Sequence, residues 1–364
     1  MAIGDDPDQN AQTGPPPDLA ALGEDGLIRR ISARAPAADP QIIRGIGDDA
    51  AVIVTGPKTV VTTDLLIEDV HFRFSTSPPR LLGRKAMAVN LSDIAAMAAT
   101  PRFAFLGIAA PGDFPAPVMD EIISGFLERA HEAEVALVGG DTCRADKLFL
   151  AVTLIGNVEP PGPVYRAGAR PDDLIFVTGA VGDSALGLLR LEQMPHPVTM
   201  RMIEDDPLRS SILRHLDPPA RLAAGQKLAS LATSMMDLSD GLIKDLPRLL
   251  LESGGLGAVI ETARIPLSDP FREHFRTVEH GGLSREALQA AIAGGEDYEL
   301  IFTAPAEAQE RIARVSRALS LSITRIGRIT PEPGLVLLDS AGQELAPPSM
   351  LFEHFVSQSQ GPKT

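Results

Sequence analysis

The sequence has no tryptophan, two tyrosines and a single cysteine, Cys143, in 364 residues. With one cysteine, no disulfide can close within the chain and no multi-thiolate zinc site can be assembled, which favours a reducing, cytoplasmic setting. The shortage of large rings points to cores built from small aliphatic side chains. No apolar run approaches the roughly 20 residues that a membrane-spanning helix needs. The amino terminus, Met-Ala-Ile-Gly-Asp-Asp, has neither the basic nor the apolar part of a secretion signal. Positive charge is also short: 33 Lys and Arg against 48 Asp and Glu leave a formal net charge of -15 and a pI near 4.9. Such a surface repels nucleic acid and anionic lipid, and no dense basic patch offsets it, so neither is an expected partner. A phosphorylated ligand would need metal ions to meet it. Missing too are the Gly-x-x-x-x-Gly-Lys-Ser/Thr loop, the protein-kinase catalytic loop, and a Gly-x-Gly-x-x-Gly following a strand.

What is present begins with room for two domains of ordinary size. Residues 1–22, with Pro15, Pro16 and Pro17 and little apolar content, read as a disordered tail. Between 23 and 158, helical and strand patterns interleave, as expected of an α/β or α+β domain. Apolar runs predict strands at 59–63, 103–110, 135–138 and 148–158, with a further short one at 70–74. The 135–138 strand is expected to stop at Gly139-Gly-Asp-Thr142, read as a turn. Helical spacing covers Ala86–Ala98 and Val118–Ala133. Pro160, Pro161, Gly162 and Pro163 mark a boundary. The second unit, 159–357, carries predicted strands at 174–178, 234–238, 258–261, 298–303 and 335–338. Its predicted helices lie at 184–190, 218–231, 243–252 and 305–319, and 358–364 forms a second tail.

The Ala86–Ala98 segment is small and apolar on almost every side, yet holds Asn90 and Asp93 three residues apart, a narrow polar stripe on a dry helix. A buried carboxylate needs a cation. It could be structural, paired with Lys85 or Arg84. However, Asp48, Asp49, Asp64, Asp141, Asp237 and Asp240 share its context, flanked by glycine, Ser/Thr or apolar strand and helix residues rather than by Lys and Glu. Ligands bind at strand ends in α/β folds, so these carboxylates suggest an acidic cleft. Oxygen donors without His or Cys spacing suit Mg2+, Mn2+ or Ca2+. Mg2+ takes only one or two carboxylates and completes its shell with water and phosphate. Many separated aspartates therefore imply several ions and a polyphosphate, with ATP the obvious candidate.

Seven segments then resemble, in order, the thiamine-monophosphate kinase family: Gly45-Ile-Gly-Asp-Asp-Ala-Ala-Val52, Thr62-Thr-Asp64, Ala88-Val-Asn-Leu-Ser-Asp-Ile-Ala-Ala-Met97, Gly139-Gly-Asp-Thr142, Tyr165-Arg-Ala-Gly-Ala169, Asp237-Leu-Ser-Asp-Gly-Leu242 and Gly294-Gly-Glu-Asp-Tyr-Glu-Leu300. The resemblance runs from 25 to about 355. It implies a two-domain fold like that of aminoimidazole ribonucleotide synthetase, each domain a mixed β-sheet flanked by helices. The first domain would bind ATP and Mg2+ and join a homodimer through its sheet. It implies that Asp49, Thr62, Thr63, Asp64, Asp93, Asp141, Asp237 and Asp240 hold Mg2+ directly or through water. Gly140, Asp141, Arg166 and Ser239 would contact ATP, and His71, Glu296 and Phe352 the acceptor, thiamine monophosphate. Two positions depart from the family pattern: Cys143 stands where Thr is usual, and Phe352 where Tyr or Trp is frequent.

The implied reaction is in-line transfer of the γ-phosphoryl group of ATP to thiamine monophosphate, the last step of thiamine diphosphate formation, without a general base or a covalent phosphoenzyme. The alternatives are another ATP-dependent synthetase of the superfamily or a noncatalytic Mg-nucleotide-binding regulator. Selenophosphate synthetase ordinarily carries a reactive cysteine near the amino terminus, which this chain lacks.

Overall fold

A computed structural model describes residues 18–35, 39–46, 50–276 and 283–348. The first half contains helix α1 (Leu19–Arg34), strands β1 (Ile42–Arg44), β2 (Val52–Ile53) and β3 (Thr59–Ile67), and helix α2 (Pro79–Ala96). Then come β4 (Thr100–Ala110), α3 (Ala116–Glu132), β5 (Ala136–Arg144) and β6 (Phe149–Asn157). The second half runs β7 (Leu174–Thr178), α4 (Asp183–Gln193), α5 (Met200–Glu204), α6 (Arg209–Leu216), α7 (Leu222–Leu228), β8 (Ser234–Asp237), α8 (Leu242–Glu252) and β9 (Gly257–Glu261). It ends with α9 (Asp269–His274), α10 (Arg285–Ala293), β10 (Leu300–Ala304), α11 (Gln309–Leu319), β11 (Ile323–Thr330), β12 (Gly334–Leu338) and β13 (Glu344–Leu345).

Two sheets carry the chain. The first has the order β3-β6-β4-β5, and the second β13-β12-β9-β11-β7-β10-β8. Period-two alternation along β3, β6 and β4 sends Leu66, Leu106, Ile108, Leu150, Val152 and Leu154 into a core shared with α2 and α3. Among the described residues no helix lies over the opposite face of this sheet, which exposes Val61 and Leu65, 64% and 50% accessible. The second sheet is covered on both faces, which is why β7, β8 and β10 are buried at every position.

Close packing of the two helices follows from two glycines. A Cβ on Gly83 would lie 1.8 Å from the Ile122 carbonyl, and one on Gly125 would lie 1.9 Å from that of Arg80. Helix α2 is buried along nearly its whole length, because α3 and the first sheet cover one side while α7 and β8 of the second half cover the other.

The strand and helix pattern differs from expectation at several places. Gly139-Gly-Asp-Thr142 is not a turn: β5 continues parallel to β4 through Arg144. Its glycines answer a packing need, since a Cβ on Gly140 would lie 2.0 Å from the Leu106 carbonyl. Residues 70–74 turn rather than extend, with Asp69 at φ 63°. The alternating Phe72 and Phe74 instead meet each other edge-on at 5.5 Å in a buried loop. Helix α7 starts at Leu222 rather than Pro218, since Pro218 and Pro219 interrupt helical hydrogen bonding. Helices α5, α6, α9 and α10 and strand β11 had no predicted counterpart. Gly45–Val54 yields only the short pairing of β1 with β2. Asp48, Asp49 and Phe352 lie outside the described residues.

Candidate active site

Alternation along β3 decides which of its polar residues meet α2. Thr62 and Asp64 point inward, where the Thr62 hydroxyl donates to Asp93 Oδ2. Thr63 points to the open face and hydrogen-bonds Thr153 Oγ1 of β6. From the second half, β8 delivers Asp237, which accepts from Ser92 Oγ of α2 at 2.7 Å. Asp64, Asp93 and Asp237 are thus brought together from three elements and from both halves.

Their electrostatics are those of acids crowded without a counterion. Burial, with the Asp93 charge second, pushes the Asp64 carboxyl up to about 6. Burial and then Asp93 push Asp237 up to about 7, against the hydrogen bond from Ser92. Burial also holds Asp93 above the usual range despite Thr62 and the nearby Arg166 charge. Neither Lys85 nor Arg84 is the partner of Asp93. Arg84 bonds Asp217 at 2.7 Å and Glu132 at 2.8 Å, while Lys85 lies 2.9 Å from Glu296. Asn90 is fully buried and donates to its own helix at Ala86 O, 3.1 Å away, leaving Oδ1 without a partner.

Beside Asp93 opens a cleft of about 580 Å³ between the two halves. Thr62, Asp93 and Arg166 form its polar side, and Val60, Met97, Tyr165 and Met235 its apolar side. Ser239 follows Asp237, and its carbonyl accepts from Glu296 N at 2.7 Å. Asp240 is already neutralised: Lys244 and Arg248 stand 3.2 and 2.8 Å from Oδ2 and outweigh burial to hold its carboxyl below the usual range.

Glu296 and His71 are also drawn together. His71 follows β3, and its Nδ1 accepts from Ile67 N at 3.1 Å. Burial above all, and then the charges of Glu296, Asp64, Asp237 and Asp93, push the hydroxyl of Tyr298, which sequence reasoning passed over, above its usual range. Its only signal in the sequence was its place two residues after Glu296; both residues adopt left-handed backbone, φ 57° and 50°. Asp141 does not join this cluster within one chain. Asp64, Val152, Leu106 and Gly140 form one row across the first sheet, so Asp141 stands three strands away from β3, about 14 Å. Paired with Gly107, it shares the open face with Thr63.

The donor set fits a hard divalent cation. It consists of carboxylate and hydroxyl oxygens, and the three acids are held above their usual range by burial first and, for Asp64 and Asp237, then by the Asp93 charge. Among the described residues, no group of three or more His, Cys, Asp or Glu side chains is arranged so that it could hold a metal ion by itself.

Residues 47–158 match the model of the N-terminal domain of AIR synthase related proteins, and residues 170–340 that of the C-terminal domain. The chain is 35% identical over 314 residues to the thiamine-monophosphate kinase of Escherichia coli K12, covering 86% of this chain and 92% of that protein. It is 36% identical over 290 residues to the Bacillus subtilis 168 enzyme of the same name, covering 78% and 85%. The crystal structure of thiamine-monophosphate kinase from Stenotrophomonas maltophilia K279a superimposes with a TM-score of 0.73 at 35% identity, covering 85% of this chain and 95% of that one. AaThiL complexed with AMPPCP and TMP superimposes at 0.67 with 29% identity, covering 90% and 96%.

Proposed function

The chain belongs to the thiamine-monophosphate kinase family of AIR synthase related proteins, and from that premise we infer that it transfers the γ-phosphoryl group of ATP to thiamine monophosphate, giving thiamine diphosphate and ADP. The observation that carries the reading is the convergence of Asp64, Asp93 and Asp237 from both halves beside the Arg166 cleft. The acceptor oxygen belongs to a phosphate monoester with second pKa about 6, so it is ionised at neutral pH and needs no general base. The barrier is electrostatic: two polyanions must meet in a chain of net charge -15.

Asp64, Asp93 and Asp237 would hold Mg2+, with Asp49, Thr62, Thr63, Asp141 and Asp240 as further ligands directly or through water. Bound there, Mg2+ supplies the positive charge that lets phosphate oxygens approach and stabilises charge developing on them. Arg166 offsets phosphate charge from the cleft wall, while the Tyr165 and Met235 side takes the base. Gly140 and Ser239 contact the nucleotide. Glu296 and His71 receive the acceptor, together with Phe352.

The open face of the first sheet supports a homodimer. Apolar residues at this density on one sheet face call for a cover, and a second copy supplies an identical one. Two such sheets face to face would bring Asp141 of one copy toward the β3 edge of the other, which accounts for a metal-binding aspartate set about 14 Å from its fellows.

Phosphorus NMR of the protein with ATP, Mg2+ and thiamine monophosphate is expected to show a new diphosphate signal and ADP, with no phosphorylated protein on acid quench. Absence of that signal, or turnover only with another acceptor such as formylglycinamidine ribotide, would overturn the kinase reading.

A further inference from the structure

The carboxylate of Glu296 is held from behind by two groups that the reaction as described does not use. Lys85 Nζ lies 2.9 Å from Oε1, and His215 Nδ1 lies 3.3 Å from Oε2. The Lys85 side chain is 3% exposed and that of Glu296 30%, so the lysine is sealed while the carboxylate keeps an open edge. His215 stays neutral, since burial above all, then the Lys85 charge, pushes its pKa down to about 3. It also hydrogen-bonds Ser184 Oγ at 3.0 Å. Lys85 is therefore the cation that faces Glu296 from within the protein.

The pair also joins the halves of the molecule. Lys85 belongs to α2, packed on the first sheet, whereas Glu296 precedes β10 of the second. A lysine sealed in a buried helix is costly unless paired, and removing one member of such a pair strands the other. Packing alone would be met by a leucine or methionine at this position. The charge is explained by what it holds.

We propose that Lys85 is a positioning residue for acceptor recognition: it fixes Glu296 as an oriented carboxylate whose open edge takes a cationic, N–H-bearing heterocycle. The acceptor subsite then forms only where α2 and the loop before β10 are seated together. The proposal rests on the reading of Glu296 as an acceptor contact, and its test separates the two. Steady-state kinetics of K85Q should show the KM for thiamine monophosphate raised about tenfold or more, with the KM for ATP changed less than about twofold. K85R should recover part of the loss. E296Q should raise the acceptor KM to a similar degree, and K85M/E296Q should be no worse than E296Q alone, because the lysine acts through the carboxylate. Where K85Q fails to fold, the comparison of K85M/E296Q with E296Q decides. An unchanged acceptor KM in K85Q, or losses that multiply in the double variant, would overturn the role of Lys85. An unchanged acceptor KM in an active E296Q would instead overturn the assignment of Glu296.

Discussion

Asp64, Asp93 and Asp237 illustrate how much a residue's neighbours decide its chemistry. Each is an ordinary aspartate by sequence, yet burial and mutual repulsion push Asp64 up to about 6 and Asp237 to about 7. Their folded pKa values lie above the unfolded ones, so without metal the stability they contribute is complete below about pH 4 and is lost as pH rises through 6 to 7. Mg2+ competes with those protons. Thermal melts are therefore expected to show Mg2+ raising the melting temperature by several degrees at pH 8 and much less at pH 5. In D93N the Mg2+ response should be largely lost while the fold persists. An equal response in D93N and the parent would remove Asp93 from the metal site.

At the scale of elements, the contact between α2 and α3 depends on what Gly83 and Gly125 lack. A methyl at Gly125 meets the Arg80 carbonyl at 1.9 Å, backbone that cannot move without shifting the helix. G125A should lower stability by roughly 1–3 kcal/mol or more, measured by denaturant unfolding, while a like change at Gly112, where a Cβ meets only the Ala20 Cβ at 3.8 Å, should cost less. Such contacts are invisible in the sequence, where Gly83 lies outside the predicted helix. The long amphipathic or apolar segments were legible because their period is local: α3, β6, β7 and β9 fall close to their predicted bounds, while α2 ends near its predicted end but starts at Pro79 rather than Ala86. Short helices such as α5 and α9 were not, since five or six residues carry no period. For the site, the aspartates stood out by context, but their grouping did not. The face of Thr63, the distance of Asp141 and the cations on Asp240 all depend on pairing between distant strands or on which neighbour turns inward. Lys85 was visible only as a partner for Asp93. Its true partner is 211 positions away in numbering, 296 less 85.

For the whole molecule, the open face of the first sheet is the largest statement the structure makes about assembly. Among the described residues no helix is long and apolar enough to cross a membrane, so a lipid-spanning role for that face has no helical support. If a second copy covers it and lends Asp141, D93N and D141N are each inactive alone, yet mixing and re-equilibrating them should restore activity toward about a quarter of the parent level, because half the dimers then hold one intact site. Sedimentation of a monomer at working concentrations, or no recovery on mixing, would contradict this. Helix α2 has a further consequence for such an enzyme. Lys85 and Asp93 are eight residues apart, about 12 Å along the axis and about 80° round it. The helix is in effect a gauge block, with the acceptor end set at one stop and the metal end at the other. One residue inserted between them would swing the far stop by about 100°. The reach of the reaction is thus written as a count of residues in a rigid rod, not as a shape that side-chain changes can adjust.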